Sequence, residues 1–222
     1  MEAVEQDWTA IARHLASHLE DRAICLRGVE AAEEYFITLQ RSGSDIYQPA
    51  CELAALLERV YAKHPVLEAA EQLAIVTANL YMCTFQQTQS HSEDLFQKLQ
   101  QVFKRFPGSK RMRSAYASVC GKMYAARENW TRDIPSKLMG KLEKWSAQYP
   151  DDIEFQEAFF DVTLYHLTYA RGQGLRREEL RAFRQLERIA KTANYAVYRE
   201  ENALLPRVEQ LRQLFGYGPE RG

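Results

Sequence analysis

The sequence predicts an all-α fold, stacked antiparallel helical hairpins with about nine or ten helices. Three observations predict it. A proline-terminated phrase occurs three times at near-constant spacing. Apolar residues recur at helical intervals along most of the chain. Ten glycines and seven prolines in 222 residues are too few for the many tight turns of a β fold.

The phrase ends at Pro65, Pro107 and Pro150, which stand 42 and 43 residues apart. Its members are Leu53, Leu57, Val60 and His64; Leu95, Leu99, Val102 and Phe106; and Leu138, Leu142, Trp145 and Tyr149. Steps of 4, 3 and 4 place each set on one helix face. Proline lacks an N–H and turns its predecessor away from the α region, so each copy reads as the end of an amphipathic helix followed by a corner. A recurrence of 20–50 residues is the mark of stacked supersecondary units.

The elements follow in order. Trp8, Ile11, Leu15 and Leu19 predict a helix over 4–19, and Glu20-Asp21 interrupts it. A second helix over 23–39 carries Leu26, Val29, Tyr35, Phe36 and Leu39. Gly43 is the expected C-terminal cap, and Ser44 or Asp45 the next N-cap. The third helix, 46–63, accepts Pro49 in its first turn and bears the first phrase. A long apolar helix runs from Pro65 to about Phe85, with a polar loop expected over 86–91. Ser92, followed by Glu93 and Asp94, is a strong N-cap for the helix of the second phrase. Gly108-Ser109 opens a helix to about Ala126 with Met112, Tyr116, Val119 and Met123 on one face. Asp133-Ile134-Pro135 starts the helix of the third phrase, and Asp151-Asp152 caps an aromatic helix with Phe155, Phe159, Phe160, Tyr165 and Tyr169. Arg171-Gly172-Gln173-Gly174 breaks it. A helix over 176–191 follows, then a tail that is either kinked near Pro206 or ends in a helix over 203–215. No long linker is evident, so the expectation is one helical-repeat domain over 1–222: capping helices in 1–44, core repeats in 45–174, capping helices in 175–222.

The segment Leu142-Glu143-Lys144-Trp145-Ser146-Ala147-Gln148-Tyr149-Pro150-Asp151-Asp152, followed by Ala158, Phe159 and Tyr165, resembles the turn of tetratricopeptide (TPR) repeats. The resemblance extends over roughly 53–170. It implies a right-handed α-solenoid with a concave face that binds a protein or peptide. HEAT-type repeats, with a period of about 40–47 residues, are the alternative scaffold.

Composition is that of a globular chain, 46 % apolar and 27 % charged, with a net charge of −1 that excludes a bulk polyanion binder. The acidic N-terminus has no apolar core of a signal peptide, and no apolar run approaches membrane-spanning length. Cys25, Cys51, Cys83 and Cys120 are dispersed, as buried thiols are, which points to the cytoplasm and away from a disulfide framework. No phosphate-binding glycine loop, dinucleotide fingerprint or nucleophile elbow occurs, so no catalytic residue and no cofactor is expected. His14 and His18 share a helix face, but two ligands fall short of a zinc site, and no metal is expected. His64 fills the aromatic slot of its phrase, and His166 sits among Tyr165, Leu167 and Tyr169; both read as packing residues.

Charge is unevenly distributed. Residues 1–74 hold thirteen acids against six bases, whereas 95–127 hold eight bases and no acid. Lys104, Arg105, Lys110, Arg111 and Arg113 concentrate this positive charge. A second feature, Arg177, Arg181, Arg184 and Arg188, forms a helical stripe opposite Leu180, Phe183, Leu186 and Ile189. These nine bases are the candidate binding residues. They predict a non-enzymatic adaptor for a protein or acidic peptide; the alternative is a nucleic-acid-binding or regulatory helical protein using the bases of 98–127. Solvated salt bridges would explain the same charges without a ligand.

Overall fold

The computed structural model describes residues 2–42, 45–125, 133–195 and 204–218. Among them are ten α-helices and no strand. In chain order these are α1 (Glu2–Ser17), α2 (Arg22–Ser42), α3 (Tyr47–Lys63), α4 (Leu67–Thr88), α5 (Glu93–Arg105), α6 (Lys110–Ala125), α7 (Asp133–Gln148), α8 (Ile153–Gly172), α9 (Arg176–Tyr195) and α10 (Leu204–Phe215). The expected caps at Gly43 and Ser44 lie outside the described residues.

The chain divides into two compact units, Met1–Val119 and Cys120–Gly222. In the first, α1 packs on α2, α3 on α4 and α4 on α5, while α2 also touches α3 and α4. Tyr116 of α6 inserts its ring between Phe96 and Phe103 of α5, at 5.6 and 5.7 Å. In the second, α8 packs against both α7 and α9, and α10 against α9. Phe155, Phe159 and Phe160 of α8 are fully buried there.

All three prolines stand between helices. His64 and Phe106, each preceding a proline, leave the α region with nearly equal torsions, φ −125° ψ 82° and φ −132° ψ 63°. The proline ring forbids the α region to its predecessor, so the helix stops one residue before the corner. The second leucine of each phrase, Leu57, Leu99 and Leu142, is completely or almost completely buried. The residue before each proline is half-buried in every copy.

The sixth residue after each proline is polar: Glu71, Arg113 and Gln156. Each fastens a corner. Glu71 accepts from the Ser109 hydroxyl at 2.6 Å, and that hydroxyl in turn accepts from the Met112 N–H at 3.1 Å. Arg113 donates to the Gly108 carbonyl at 2.9 Å. Gln156, fully buried, donates to the carbonyls of Ser146 and Tyr149 and accepts from the Ser146 hydroxyl at 2.7 Å. Carbonyls at a helix end have no partner within the helix, and Gln156 supplies one at the end of α7.

Several boundaries differ from expectation. The polar stretch 86–88 extends α4 to Thr88, where it ends on Gln89 in the left-handed region at φ 53°. Thr84 and Thr88 keep their hydroxyls on the carbonyls four residues back, so they remain helical despite their polarity. Ser92 occupies the N-cap of α5 without a side-chain cap bond, whereas Asp152 accepts from the Phe155 N–H as expected. Asp21, expected only to interrupt, accepts from the Ile24 N–H at the start of α2. Helix α8 ends on Gly174 at φ 67°, with Leu175 N–H bonded to the Ala170 carbonyl and Gly174 N–H to that of Arg171. That is the six-to-one and five-to-two pattern of a Schellman cap. Pro206 lies in the first turn of α10, where its missing N–H leaves nothing unpaired.

Gly28 of α2 marks a close approach to α1. A Cβ there would lie 2.1 Å from Leu15 Cδ2, and Leu15 is fully buried. Gly28→Ala should therefore lower stability by about 1–3 kcal/mol in chemical unfolding, despite alanine's higher helix propensity. Gln156→Ala should cost about 2–4 kcal/mol, because it strips two carbonyls and a hydroxyl of their partner; a loss below 1 kcal/mol would show that the corner does not depend on it.

Candidate functional site

The bases of the middle segment are for the most part engaged. Lys98 pairs with Glu58 at 2.6 Å. Arg111 pairs with Glu33 and lies 3.8 Å from Glu71. Arg113, expected on a binding surface, is only 4 % exposed because it serves the Pro107 corner. Arg105 lies over the Tyr61 ring at 5.9 Å. Lys104 and Lys110 are exposed and bear no ion pair among the described residues. Three carboxylates, Glu33, Glu58 and Glu71, and the Tyr61 ring thus come from α2, α3 and α4, the acidic early part of the chain, and offset part of the positive charge of α5 and α6. Arg127, counted with this cluster, lies outside the described residues.

The stripe on α9 is different. Arg177, Arg181, Arg184 and Arg188 are all exposed, while Phe183, Leu186 and Ile189 are buried and Leu180 is half-buried. Arg181 pairs with Glu143 through two contacts of 3.0 and 3.2 Å, and Arg188 donates to Gln185. Arg177 and Arg184 make no hydrogen bond or ion pair among the described residues. A cavity of about 820 Å³ opens beside Arg184 and Arg188, walled by Leu180, Phe183 and the 216–218 backbone. A second, of about 430 Å³, lies between Arg177, Arg181, Arg184 and Gln185. The two share Leu180, Arg184 and Arg188, so cations ring an apolar strip.

Two acids near the stripe, Glu179 and Glu187, are occupied from behind, while Glu178 is exposed. Glu179 is buried and accepts from Tyr217 at 2.6 Å, Arg171 at 2.8 Å and Arg176 at 3.0 Å. The Tyr217 hydroxyl, followed by the two guanidiniums, holds the Glu179 carboxyl below its ordinary range even though burial opposes this. Burial and the Glu179 carboxylate push Tyr217 up to about 12. Glu187 is paired with Arg212. Phe215 lies under Arg171 at 4.5 Å, and Tyr217 packs on Phe183 at 4.1 Å, so this latch ties the end of α10 to α8 and α9. Its backbone signal was present in the sequence as Gly216, which takes φ 69° and lets the Tyr217 N–H reach the Arg212 carbonyl.

The histidines have structural surroundings. His14 and His18 stand 4.4 Å apart, ring to ring, with His18 Nδ1 donating to the His14 carbonyl. His64 Nε2 donates to the Leu19 carbonyl at 2.8 Å, tying the α1–α2 connection to the first corner. His166 borders a small cavity of about 140 Å³ with Glu143, Glu178, Arg181 and Gln185. A chain not visible in the sequence joins Tyr81, His91 and Glu93: the Tyr81 hydroxyl bonds His91 Nδ1 at 2.9 Å, and His91 Nε2 bonds Glu93 at 2.8 Å. That bond from His91 lowers the Glu93 carboxyl, with Gln97 adding to it. No group of three or more side chains that could hold a metal converges among the described residues. The four cysteines are free thiols, Cys25 and Cys120 buried and Cys51 and Cys83 half-buried. No described helix is long and apolar enough to cross a membrane.

No family model, curated protein or solved structure matches the chain.

The latch makes stability depend on pH at both extremes. Glu179 titrates lower in the folded chain than in the unfolded one, so its contribution is present above the unfolded carboxyl range and is lost as pH falls through the folded value. Tyr217 titrates higher when folded, so its contribution is present below about pH 10 and is lost as pH rises toward about 12. Tyr217→Phe should unfold about 1–2 kcal/mol more easily at pH 7, and its alkaline loss should be shallower than in the unsubstituted chain. Parallel alkaline limbs in urea unfolding would contradict this.

Proposed function

We propose that this protein is a non-enzymatic helical scaffold, a stack of helical hairpins akin to a repeat solenoid, that holds an acidic protein or peptide on the basic face of α9. Its four free thiols suit the reducing cytoplasm. The observation that carries the reading is the contrast between two basic regions of similar charge. On α5 and α6, Lys98 pairs with Glu58, Arg111 with Glu33 and Glu71, and Arg113 is buried on the Gly108 carbonyl, which leaves Lys104, Arg105 and Lys110 exposed with no cavity beside them among those described. On α9, Arg177 and Arg184 are exposed beside the two cavities and unpaired among the described residues, while buried Glu179 and half-buried Glu187 already have guanidinium partners. Exposed guanidiniums beside an apolar strip favour carboxylates bidentately and leave apolar area to bury.

Lys104, Arg105 and Lys110 remain exposed at the second corner and carry the nucleic-acid alternative. The two readings separate in one titration. A fluorescein-labelled glutamate-rich peptide should bind the unsubstituted chain with an affinity that falls as salt rises. Arg184→Glu with Arg188→Glu should weaken it at least tenfold with the circular dichroism unchanged, and Arg105→Glu with Lys110→Glu should change it less than threefold. The opposite ranking would move the site to the second corner. An oligonucleotide bound more tightly than the peptide, and lost with the corner variant, would favour nucleic acid.

A further inference from the structure

We propose that the segment held on α9 is itself an acidic α-helix, with carboxylates at steps of 4, 3 and 4, one of which enters the notch beneath Arg181 to accept from Gln185. This rests on the basic-face reading above and specifies the partner's chemistry. The first argument is register. Arg177, Arg181, Arg184 and Arg188 span eleven residues of α9, about 16 Å at 1.5 Å per residue. A helix lying alongside advances by the same rise, so acids at the same steps stay opposite all four guanidiniums. An extended segment advances about 6.6–6.8 Å between side chains of one face and would run about 20 Å over three such steps. It would end about 4 Å out of register, so the arginines of α9 would have to bend from the helix spacing to keep all four pairs.

The second argument is an unmet donor. Gln185 is 7 % exposed. Its Oε1 accepts from Arg188, which fixes the orientation of the amide, while its buried Nε2 has no partner. A buried donor without a partner is costly, and few persist in folded chains without a reason. Gln185 borders both the 430 Å³ cavity of the stripe and the 140 Å³ cavity that holds Glu143, His166 and Arg181. The smaller space accommodates a side-chain carboxyl or amide and no backbone. A carboxylate reaching it would accept from Gln185 Nε2 and share the Arg181 guanidinium with Glu143, with Glu178 the acid it must avoid.

A phosphate backbone fits less well. Glu187 borders the largest of the three cavities and Glu178 the smallest, and both oppose an unbroken run of negative charge, whereas a helix can set neutral or basic residues against them. The rings of Phe183 and Tyr217 are packed on each other at 4.1 Å and offer no platform for bases.

The test uses the full chain and three labelled probes of equal charge at low salt. Two are alanine-rich peptides of one composition carrying four glutamates, one with steps of 4, 3 and 4 and the other with glutamates in strict alternation. The third is a single-stranded pentanucleotide with four phosphates. The helically spaced peptide should bind about tenfold more tightly than the alternating one and gain helical circular dichroism on binding. Equal affinities, or tighter binding without added helicity, would overturn the helical register yet leave the basic face standing. Binding of neither peptide would sink both readings, and tightest binding of the pentanucleotide would replace the peptide with nucleic acid. Gln185→Leu removes the unmet donor, so its thermal midpoint should hold or rise while affinity for the spaced peptide falls about tenfold. Unchanged affinity in Gln185→Leu, and in Gln185→Glu, which sets a carboxylate against the incoming one, would remove the notch from the site.

Discussion

The structure depends on how its helices are stopped. A helix end leaves carbonyls with no partner inside the helix, and a proline that enforces the stop cannot itself donate to them. The residue six positions past each proline is polar and bonds a corner, its own for Arg113 and Gln156 and the following one for Glu71. Gln156 is the fullest case, with one buried amide serving two carbonyls and a hydroxyl at the end of α7. Arg113 serves the Gly108 carbonyl, and Glu71 holds the Ser109 hydroxyl that caps α6. The leucines of the preceding helices are buried, Leu57 and Leu99 in the first unit and Leu142 in the second.

This constraint also redistributes charge. Arg113 and Glu71 are ionisable residues turned to corner work, which removes one base and one acid from the surface. Arg111 then pairs with Glu33 and approaches Glu71, so the positive run of α6 is satisfied by acids that precede it by tens of residues. Charge imbalance along a sequence therefore need not survive as a surface potential. On α9 the direction is reversed: Glu179 and Glu187 are engaged by Arg171, Arg176 and Arg212, Arg181 keeps Glu143, and Arg177 and Arg184 have no ion pair among the described residues.

The latch around Glu179 links the scaffold to the site. Tyr217 closes one wall of the larger cavity and at the same time anchors the end of α10 through Phe183 and Glu179. The side of the groove is thus set by a turn whose geometry requires Gly216 in the left-handed region. Rigid walls of this kind lower the cost of ordering a partner, since the guanidiniums need not be gathered when it arrives.

By itself, the sequence determined the helices, the three corners and the outward face of α9. These are local matters: steps of 4, 3 and 4 set a helix face, proline restricts its predecessor, and four arginines one turn apart must share a side. It also pointed to Asp152 and Gly216 as helix ends. It misplaced the end of α4, because polar Gln86 and Gln87 read as loop while Thr84 and Thr88 satisfied themselves within the helix. Only the tertiary structure decided which charges stay free. Arg113 and Arg184 are alike as residues, yet one is buried on a carbonyl and the other stands in solvent. The partners that separate them, such as Glu33 for Arg111 and Glu143 for Arg181, lie 78 and 38 residues away and become neighbours only when the helices pack.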